Sequence, residues 1–355
     1  MASLDNDVNC SLTRVARIPG LRALSWSGDT LYVSRRYEVL SSRIAADSDP
    51  IWSPFAAFKP KWWRQLTSAG GLTARLCRDG FHALAVLPSG GAVGAVAGAI
   101  VAIHPGEREF HVTHAIARGT RPLHITAASA GGVYWGEYFD NPNRDAVHIY
   151  ASADGGFTWH PAYTFPKGAI RHVHNIVYDP WEDCLWVLTG DYGNECRILR
   201  AHCDLSQVET VLQGNQQARA VAMVPTQDGL YFSTDTPLEA NSLYRLGRDR
   251  KLSRLQAISS SSIYGCRVGE RVFFSTMIEP SSANPDRHVR IYGIGPNSGE
   301  WGSLLDWRKD RLPMGLFQYG NAVLPDGDNS TSYLALSTVA VESDDQVLSL
   351  YRVSS

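Results

Sequence analysis

The chain has 355 residues, 44% of them hydrophobic and 31 of them glycine, which is typical of a large globular protein with many turns. Its formal net charge of −2 gives no overall field that would attract nucleic acid or an anionic membrane, so we expect neither as a partner. No apolar run reaches the length of about eighteen residues needed for a membrane span, and residues 1–10 lack a signal-peptide pattern, so the sequence as written predicts a cytoplasmic location, with secretion left open.

A unit of four short strands recurs along the chain. In each unit an inner strand leads through a Gly or Asp turn to a second strand that ends in a polar residue, and a third and a fourth strand follow. The first unit is predicted to comprise LRALSWSGD, TLYVSRR, SSRIA and WWRQL. The second runs from FHALAVLPSGG to EFHVTHAI.

The third unit begins at LHITAASAGG and contains the turn SADGGFTW. Its residues Ser152, Asp154, Gly156, Thr158 and Trp159 fit the pattern SxDxGxTW, in which Asp accepts backbone N–H bonds, Gly tolerates positive φ and Trp packs beneath the turn. The turn resembles the Asp-box of sialidase-like β-propellers. That resemblance implies a structural role in capping an outer hairpin, usually far from the chemistry.

Four further units begin at HVHNIVYDPWED, RAVAMVPTQDG, SSIYGCRVGE and GLFQYGNAVLPDGDN. The seventh unit lacks a fourth strand, whereas the N-terminal segment SLTRVARI has no unit of its own, so the N-terminal strand is expected to complete the last blade and close the ring. The sequence therefore predicts an all-β fold: one domain over residues 1–355, a seven-bladed β-propeller of four-stranded antiparallel blades. Six blades, as in sialidases, is the alternative.

Residues where an inner strand begins and where a second strand ends should share one face of such a ring, forming a funnel of alternating arginines and acids. The expected ligand is a glycan or oligosaccharide, and the assembly state is left open. The predicted substrate-binding residues are Arg17, Arg36, His82, Arg121, His124, Tyr138, Gln217, Arg219, Asp235, Glu279 and Tyr319.

The catalytic candidates on this face are Glu137, Asp191, His172 and His174. The two histidines stand at i and i+2 of a strand, so their rings point the same way and could bind a divalent metal with a third ligand such as His124 or Asp191. Metal-free catalysis and structural hydrogen bonding are the alternatives. No cofactor is required by the sequence.

Three functions fit this funnel. The first is a glycoside hydrolase for an acidic or polyhydroxylated glycan, with Glu137 as acid and Asp191 as base or nucleophile. The second is a uronate lyase that uses His172 or His174 as base and Arg219 or a metal to neutralise the substrate carboxylate. The third is a non-catalytic propeller that binds a glycan or a protein. The segment Arg17, Ile18 and Pro19 is similar to the Arg-Ile-Pro motif of sialidases, which implies that Arg17 binds a carboxylate.

Overall fold

The structure is a computed structural model that describes residues 11–46, 48–279, 281–294 and 301–354. The described residues form seven sheets around a ring; six have four antiparallel strands, and the seventh has four antiparallel strands with a fifth, parallel strand added at its inner edge. Inner strands of most neighbouring sheets contact one another. The predicted seven-bladed β-propeller is therefore confirmed.

The N-terminal strand β1 (Ser11–Pro19) precedes the first three blades. Blade 1 consists of β2 (Arg22–Gly28), β3 (Thr30–Arg35), β4 (Glu38–Arg43) and β5 (Ser53–Ala57). Two short helices follow it, α1 (Trp62–Ala69) and α2 (Gly71–Cys77). Blade 2 consists of β6 (Ala83–Val86), β7 (Ala92–Val96), β8 (Ala99–Ile103) and β9 (His111–Ala115). Blade 3 consists of β10 (Thr126–Ala127), β11 (Val133–Gly136), β12 (Val147–Ser152) and β13 (His160–Phe165).

The remaining blades repeat this plan. Blade 4 consists of β14 (Val173–Asp179), β15 (Cys184–Thr189), β16 (Arg197–Ala201) and β17 (Val208–Gln213). Blade 5 consists of β18 (Ala220–Thr226), β19 (Gly229–Thr234), β20 (Ser242–Gly247) and β21 (Leu252–Ala257). Blade 6 consists of β22 (Ser262–Val268), β23 (Arg271–Thr276), β24 (His288–Ile294) and β25 (Trp301–Arg308). A short helix α3 (Met314–Phe317) precedes β26 (Asn321–Val323), β27 (Asp326–Asn329), β28 (Tyr333–Val339) and β29 (Val347–Ser354).

The ring closes through the N-terminal strand, as predicted. Blade 7 has the order β26, β28, β29, β1, and β1 pairs antiparallel with β29 from Ser11 opposite Ser354 to Pro19 opposite Val347. The ladder joins the two ends of the chain, so the last sheet reaches four strands. The segment β27 leaves blade 7 and pairs in parallel with β2, on the inner edge of blade 1.

The hydrophobic core lies between adjacent blades. The second strands β15 and β23 are buried along their whole length, because each sheet packs against a neighbouring sheet on both faces. The fourth strands β17 and β21 alternate between half-buried and exposed residues, since they lie at the rim of the ring. Within the described residues, no helix is long and apolar enough to cross a membrane.

The segment WWRQL, predicted to be the fourth strand of blade 1, belongs to helix α1; that prediction was wrong. The fourth strand is instead β5, and the third begins at Glu38, ahead of the predicted SSRIA. The segment lacks the strict alternation of a half-buried strand, and helix α1 buries none of its residues. It is held instead by Asp79, which accepts from Arg64 (2.6 Å) and from Thr67 Oγ1 (2.6 Å). Buried Arg75 anchors α2 to the ring through Asp310 (2.8 Å) and Asp345 (3.1 Å).

The SADGGFTW turn joins β12 to β13, on the face opposite the predicted funnel. The carboxylate of Asp154 accepts the N–H groups of Phe157 (3.0 Å) and Thr158 (2.9 Å). Ser152 Oγ donates to Asp154 (2.7 Å) and accepts the N–H of Gly156 (2.8 Å), whose φ is +90°. The indole N–H of Trp159 donates to Thr113 in blade 2 (3.2 Å) and its ring packs on Trp135. This turn therefore joins two blades, at a distance from the funnel.

Candidate functional site

The centre of the candidate site is a group of four side chains that we call the histidine–aspartate cluster: His172, His174, Asp191 and Arg219. They lie on the face of the ring where inner strands begin and second strands end, here called the mouth face. His172 precedes β14 and His174 lies within it, Asp191 follows β15, and Arg219 precedes β18. All four are buried. Adjacent blades 4 and 5 thus place residues distant in sequence side by side.

Both imidazoles are held by backbone carbonyl groups. Nδ1 of His172 lies 3.1 Å from the carbonyl oxygen of Phe139, and Nδ1 of His174 lies 3.0 Å from that of Ala220. Because a carbonyl oxygen can only accept a hydrogen bond, each Nδ1 carries the proton. In the neutral ring, each Nε2 therefore presents a lone pair.

The free ring nitrogens converge on one carboxylate. The two Nε2 atoms lie 3.1 Å apart, and Asp191 Oδ1 lies 3.3 Å from Nε2 of His174 and 3.5 Å from Nε2 of His172. Burial lowers the pKa of His172, which favours its neutral form. Burial acts to raise the pKa of Asp191, but interaction with His172 and His174 holds it far below its usual range, because at acidic pH an imidazole that gains a second proton donates it from Nε2 to the carboxylate. The cluster thus combines an ionised carboxylate with a basic imidazole.

Two arginines neutralise this carboxylate. Arg219 Nη2 lies 3.2 Å from Asp191 Oδ1 and 3.6 Å from Asp235 Oδ2, and Arg171 Nη1 lies 3.2 Å from Asp191 Oδ2. Three atoms of these side chains are buried without a hydrogen-bond partner in the described part of the chain: Arg171 Nε, Arg219 Nε and Asp235 Oδ1. Because a buried polar group without a partner costs about 1–3 kcal/mol, these atoms are available to hydrogen-bond water or a ligand at the cluster.

Tyr138 and Glu279 extend the cluster. The Tyr138 ring lies 4.3 Å from the His172 ring between centroids. Burial, followed by the charges of Asp235 and Asp191, raises the pKa of Tyr138, so the hydroxyl stays protonated. Burial and the charge of Asp235 also raise the pKa of Glu279. Asp191, with its lowered pKa, and Glu279, with its raised pKa, therefore differ in proton affinity.

Glu137, the predicted acid, is held in blade 3 by groups of its own. Arg118 forms a two-pronged ion pair with it, with Nε 3.0 Å from Oε1, and the N–H of His148 donates to Oε2 (2.8 Å). Both carboxylate oxygens are thus occupied within the blade. Arg118 was missed by sequence reasoning, since it lies in a connection that the strand pattern does not place.

The structure distributes the predicted residues over several places. His172, His174, Asp191, Arg219, Asp235, Tyr138 and Glu279 belong to the cluster and its extension. Arg36, His82 and Arg121 line a separate cavity of about 80 Å³ between blades 1, 2 and 7. His124 bonds to Asp326 (3.0 Å) in the central channel, whose cavity of about 670 Å³ opens towards the opposite face. Exposed Arg17 pairs with Asp344 (2.7 Å), and Gln217 and Tyr319 are exposed.

Gln217, predicted to bind substrate, is exposed, and its neighbour Gln216 is the buried residue of the pair. The buried residue beside Asp191 is Gln216, which donates to the Asp191 carbonyl oxygen (3.1 Å) and accepts from Thr236 Oγ1 (2.5 Å). Gln217 faces solvent because residues Gln216–Ala218 form a 3-10 turn capped by the Asn215 side chain. An Asn before a turn is a capping signal, and Asn215 could therefore have indicated that Gln216 begins a turn and that Gln216, not Gln217, faces inward.

No family model matches the chain, and no curated protein matches it. Among solved structures, the chain is similar to one from the crystal structure of the mitotic checkpoint complex, with 12% identity, a TM-score of 0.61, and coverage of 100% of this chain and 99% of that one. The WD40 β-propeller domain of Doa1 is similar at 10% identity, a TM-score of 0.55 and 97% coverage of both chains. A puromycin hydrolase mutant gives 11% identity and a TM-score of 0.52, over 92% of this chain and 54% of that one. At these identities the similarity shows a shared propeller fold alone.

Proposed function

We propose that the protein is a carbohydrate-active enzyme in which the histidine–aspartate cluster removes a proton next to a uronate carboxylate, so that a glycosidic bond breaks by β-elimination. One observation carries this proposal. Two imidazoles with their Nδ1 protons fixed by carbonyl groups direct both Nε2 lone pairs to the place where two arginines and a carboxylate meet. Elimination requires these two features together: a base and a positive charge for the substrate carboxylate.

The residues divide the work as follows. His172 accepts the proton at Nε2, because burial lowers its pKa and keeps the ring neutral. Asp191 stabilises the imidazolium that forms, and Arg219, whose Nε is unpaired, binds the carboxylate of the uronate. Tyr138, adjacent to His172, donates a proton to the leaving oxygen. The products are a new hydroxyl end and a sugar with a carbon–carbon double bond, and no water is consumed.

A divalent cation fits the same atoms. The ligand atoms of His172, His174 and Asp191 lie within 4.8 Å of one another. Their separations of 3.1, 3.3 and 3.5 Å fall in the range expected of ligands that share an ion at about 2.0–2.2 Å, which is about 2.8–3.1 Å for octahedral and about 3.3–3.6 Å for tetrahedral geometry. The carbonyl groups behind each Nδ1 are the usual outer partners of metal-bound histidine. A cation held here would occupy the Nε2 lone pair of His172, so it would be an alternative to the His172 base, and it would supply a Lewis acid that neutralises the substrate carboxylate.

Glycoside hydrolysis is the second candidate, favoured by the different proton affinities of the acids. Glu279, with a raised pKa, would be the general acid, and Asp191 or Asp235 the ionised partner. The Arg118 ion pair leaves Glu137 no free oxygen for the role first expected of it. The third candidate is a propeller that binds its ligand through the same cluster and forms no product.

The test is incubation of the purified protein with a panel of uronate polymers while the absorbance of the unsaturated product is followed. The variant His172→Gln should reduce the rate by about 10² to 10⁴, the usual contribution of a general base. His160→Gln is the matched control, because His160 is exposed on outer strand β13. New reducing ends without absorbance would favour hydrolysis. Binding without any product would leave a non-catalytic protein and end the proposal.

A further inference from the structure

A second polar cavity lies on the mouth face, between blades 1, 2 and 7 and helix α2. Its volume is about 80 Å³. We call it the arginine pocket and define it by Arg22, Arg36, Arg78, His82 and Arg121, which line it. The chemistry proposed for the histidine–aspartate cluster uses none of these residues.

The other charged residues of the wall are already paired. Arg75 bonds to Asp310 (2.8 Å) and Asp345 (3.1 Å), which anchors α2. Asp79 accepts from Arg64 (2.6 Å) and from the Tyr37 hydroxyl (2.8 Å). Asp79, the acidic residue among those that line the pocket, therefore bonds to partners outside it.

The four remaining arginines have no such neutralisation. Within the described ranges, no carboxylate oxygen lies within 4.0 Å of the guanidinium of Arg22, Arg36, Arg78 or Arg121. Their hydrogen bonds go to neutral groups. Arg36 donates to Gln346 (2.9 Å), Arg121 to the carbonyl of Arg78 (2.9 Å), and Arg22 to the Tyr264 hydroxyl (3.3 Å). Nε of Arg22 is buried without a partner.

The like charges act on each other. Burial, together with the charges of Arg22 and Arg78, lowers the pKa of Arg121 to about 10. Burial and the charges of Arg121 and Arg22 also hold the pKa of His82 well below its usual value. Asp79 and Asp345 attract Arg36 from a distance, but the arginines of the pocket outnumber these carboxylates, and an excess of positive charge in a partly buried cavity favours the entry of an anion.

Backbone strain is concentrated at the same place. Arg36 and Arg78 have φ values of 58° and 52°, and Gln318, which also lines the cavity, has φ 72° with ψ 157°. Residues other than glycine rarely adopt a positive φ, and each residue that does so costs about 1–3 kcal/mol of folding free energy. Gly80 permits the close approach of the two loops, because a Cβ there would lie 2.8 Å from the Arg36 carbonyl oxygen. At Arg78 the positive φ forms the left-handed cap that ends helix α2, and the Arg78 N–H donates to the carbonyl oxygens of Ala74 and Arg75.

We propose that the arginine pocket binds a single tetrahedral oxyanion, a phosphate or sulfate group, either free or carried by a larger ligand. The cavity holds about two or three water volumes of roughly 30 Å³, which suits an anion of this size. Guanidinium groups from several directions match the four oxygens of a tetrahedral anion better than the two of a carboxylate. The proposal rests on these residues alone and stands whether or not the cluster performs elimination.

The test is calorimetric titration of inorganic phosphate into the wild-type protein and three variants at low ionic strength. Arg121→Gln should weaken phosphate binding at least tenfold. The affinity of Arg121→Lys should lie between those of the wild type and Arg121→Gln, because lysine keeps the charge and lacks the planar guanidinium. Arg43→Gln is the matched control, since Arg43 pairs with Asp29 at the outer rim of blade 1, where its side chain is 79% exposed. It should bind as the wild type does.

Thermal unfolding provides a second measurement on the same proteins. Phosphate should raise the Tm of the wild type and of Arg43→Gln, and raise that of Arg121→Gln much less. A hexose phosphate that binds more tightly than inorganic phosphate would identify a carried group, and equal or weaker binding would identify the free anion. The proposal is overturned if the wild type shows neither heat nor a Tm shift, if Arg121→Gln binds like the wild type, or if glucuronate binds more tightly than phosphate.

Discussion

Removing the negative charge of Asp191 should lower the stability of the fold. The change Asp191→Asn keeps the side-chain shape and removes the carboxylate that lies between Arg171 and Arg219. Arg219 is only 8% exposed and keeps one other carboxylate, Asp235, at 3.6 Å. Removing one partner of a buried ion pair costs about 3–5 kcal/mol, and the contact to Asp235 places the expected loss at about 3 kcal/mol.

Scanning calorimetry converts this loss into a measurable shift. At about 2.1 cal/mol/K per residue, a chain of 355 residues has an unfolding entropy of about 0.75 kcal/mol/K, so about 3 kcal/mol lowers the Tm by about 4 °C. Asp140→Asn is the matched control, because Asp140 also pairs with Arg171 but its side chain is 78% exposed. Its Tm should change by less than about 1 °C. Equal shifts for the two variants would refute the assignment of Asp191 as the buried counterion.

The turn of blade 3 and the cluster predict three further results. Burial acts to raise the pKa of Asp154, but hydrogen bonds from Thr158 hold it at about 2. This exposed carboxylate therefore stabilises the fold at pH values above its unfolded pKa of about 3.9. As the pH falls from about 5 to 2, the free energy of unfolding measured in urea should decrease by about 1 kcal/mol more for the wild type than for Asp154→Asn. Gly156→Ala should lower the free energy of unfolding by about 2 kcal/mol, because the new Cβ would lie 2.5 Å from the Val93 side chain. Gly168→Ala is the control: its φ is similar and its Cβ would enter open space, so the loss of free energy should be smaller. Calorimetry with Mn²⁺ or Zn²⁺ should show one equivalent bound by wild type and none by His174→Ala.

Much of the architecture could be predicted because a propeller repeats one pattern. Alternating strands separated by Gly and Asp turns recur along the chain, and the missing fourth strand of the seventh unit matched the unassigned strand β1. The pairing of His172 with His174 was visible as well, since residues two apart on a strand share a side. These features depend on local order, which the sequence displays directly.

The rest depended on contacts between distant loops. Helix α2 brings Arg75 and Arg78 over the mouth face through ion pairs with blade 7, and the strand repeat gives no indication of them. Glu137 and Asp191 occupy equivalent places in adjacent blades, yet Arg118 sequesters the first and two imidazoles surround the second. Side-chain partners supplied by irregular connections therefore separate residues that the repeat makes equivalent.

The central claim is that the histidine–aspartate cluster breaks a glycosidic bond by elimination. Mass spectrometry of the oligosaccharides released from a uronate polymer tests it most directly, because elimination products are lighter by one water than hydrolysis products. Wild type is predicted to give products that lack this water, and His172→Gln to give almost none. Products of hydrolytic mass, or unchanged product formation by His172→Gln, would contradict the account.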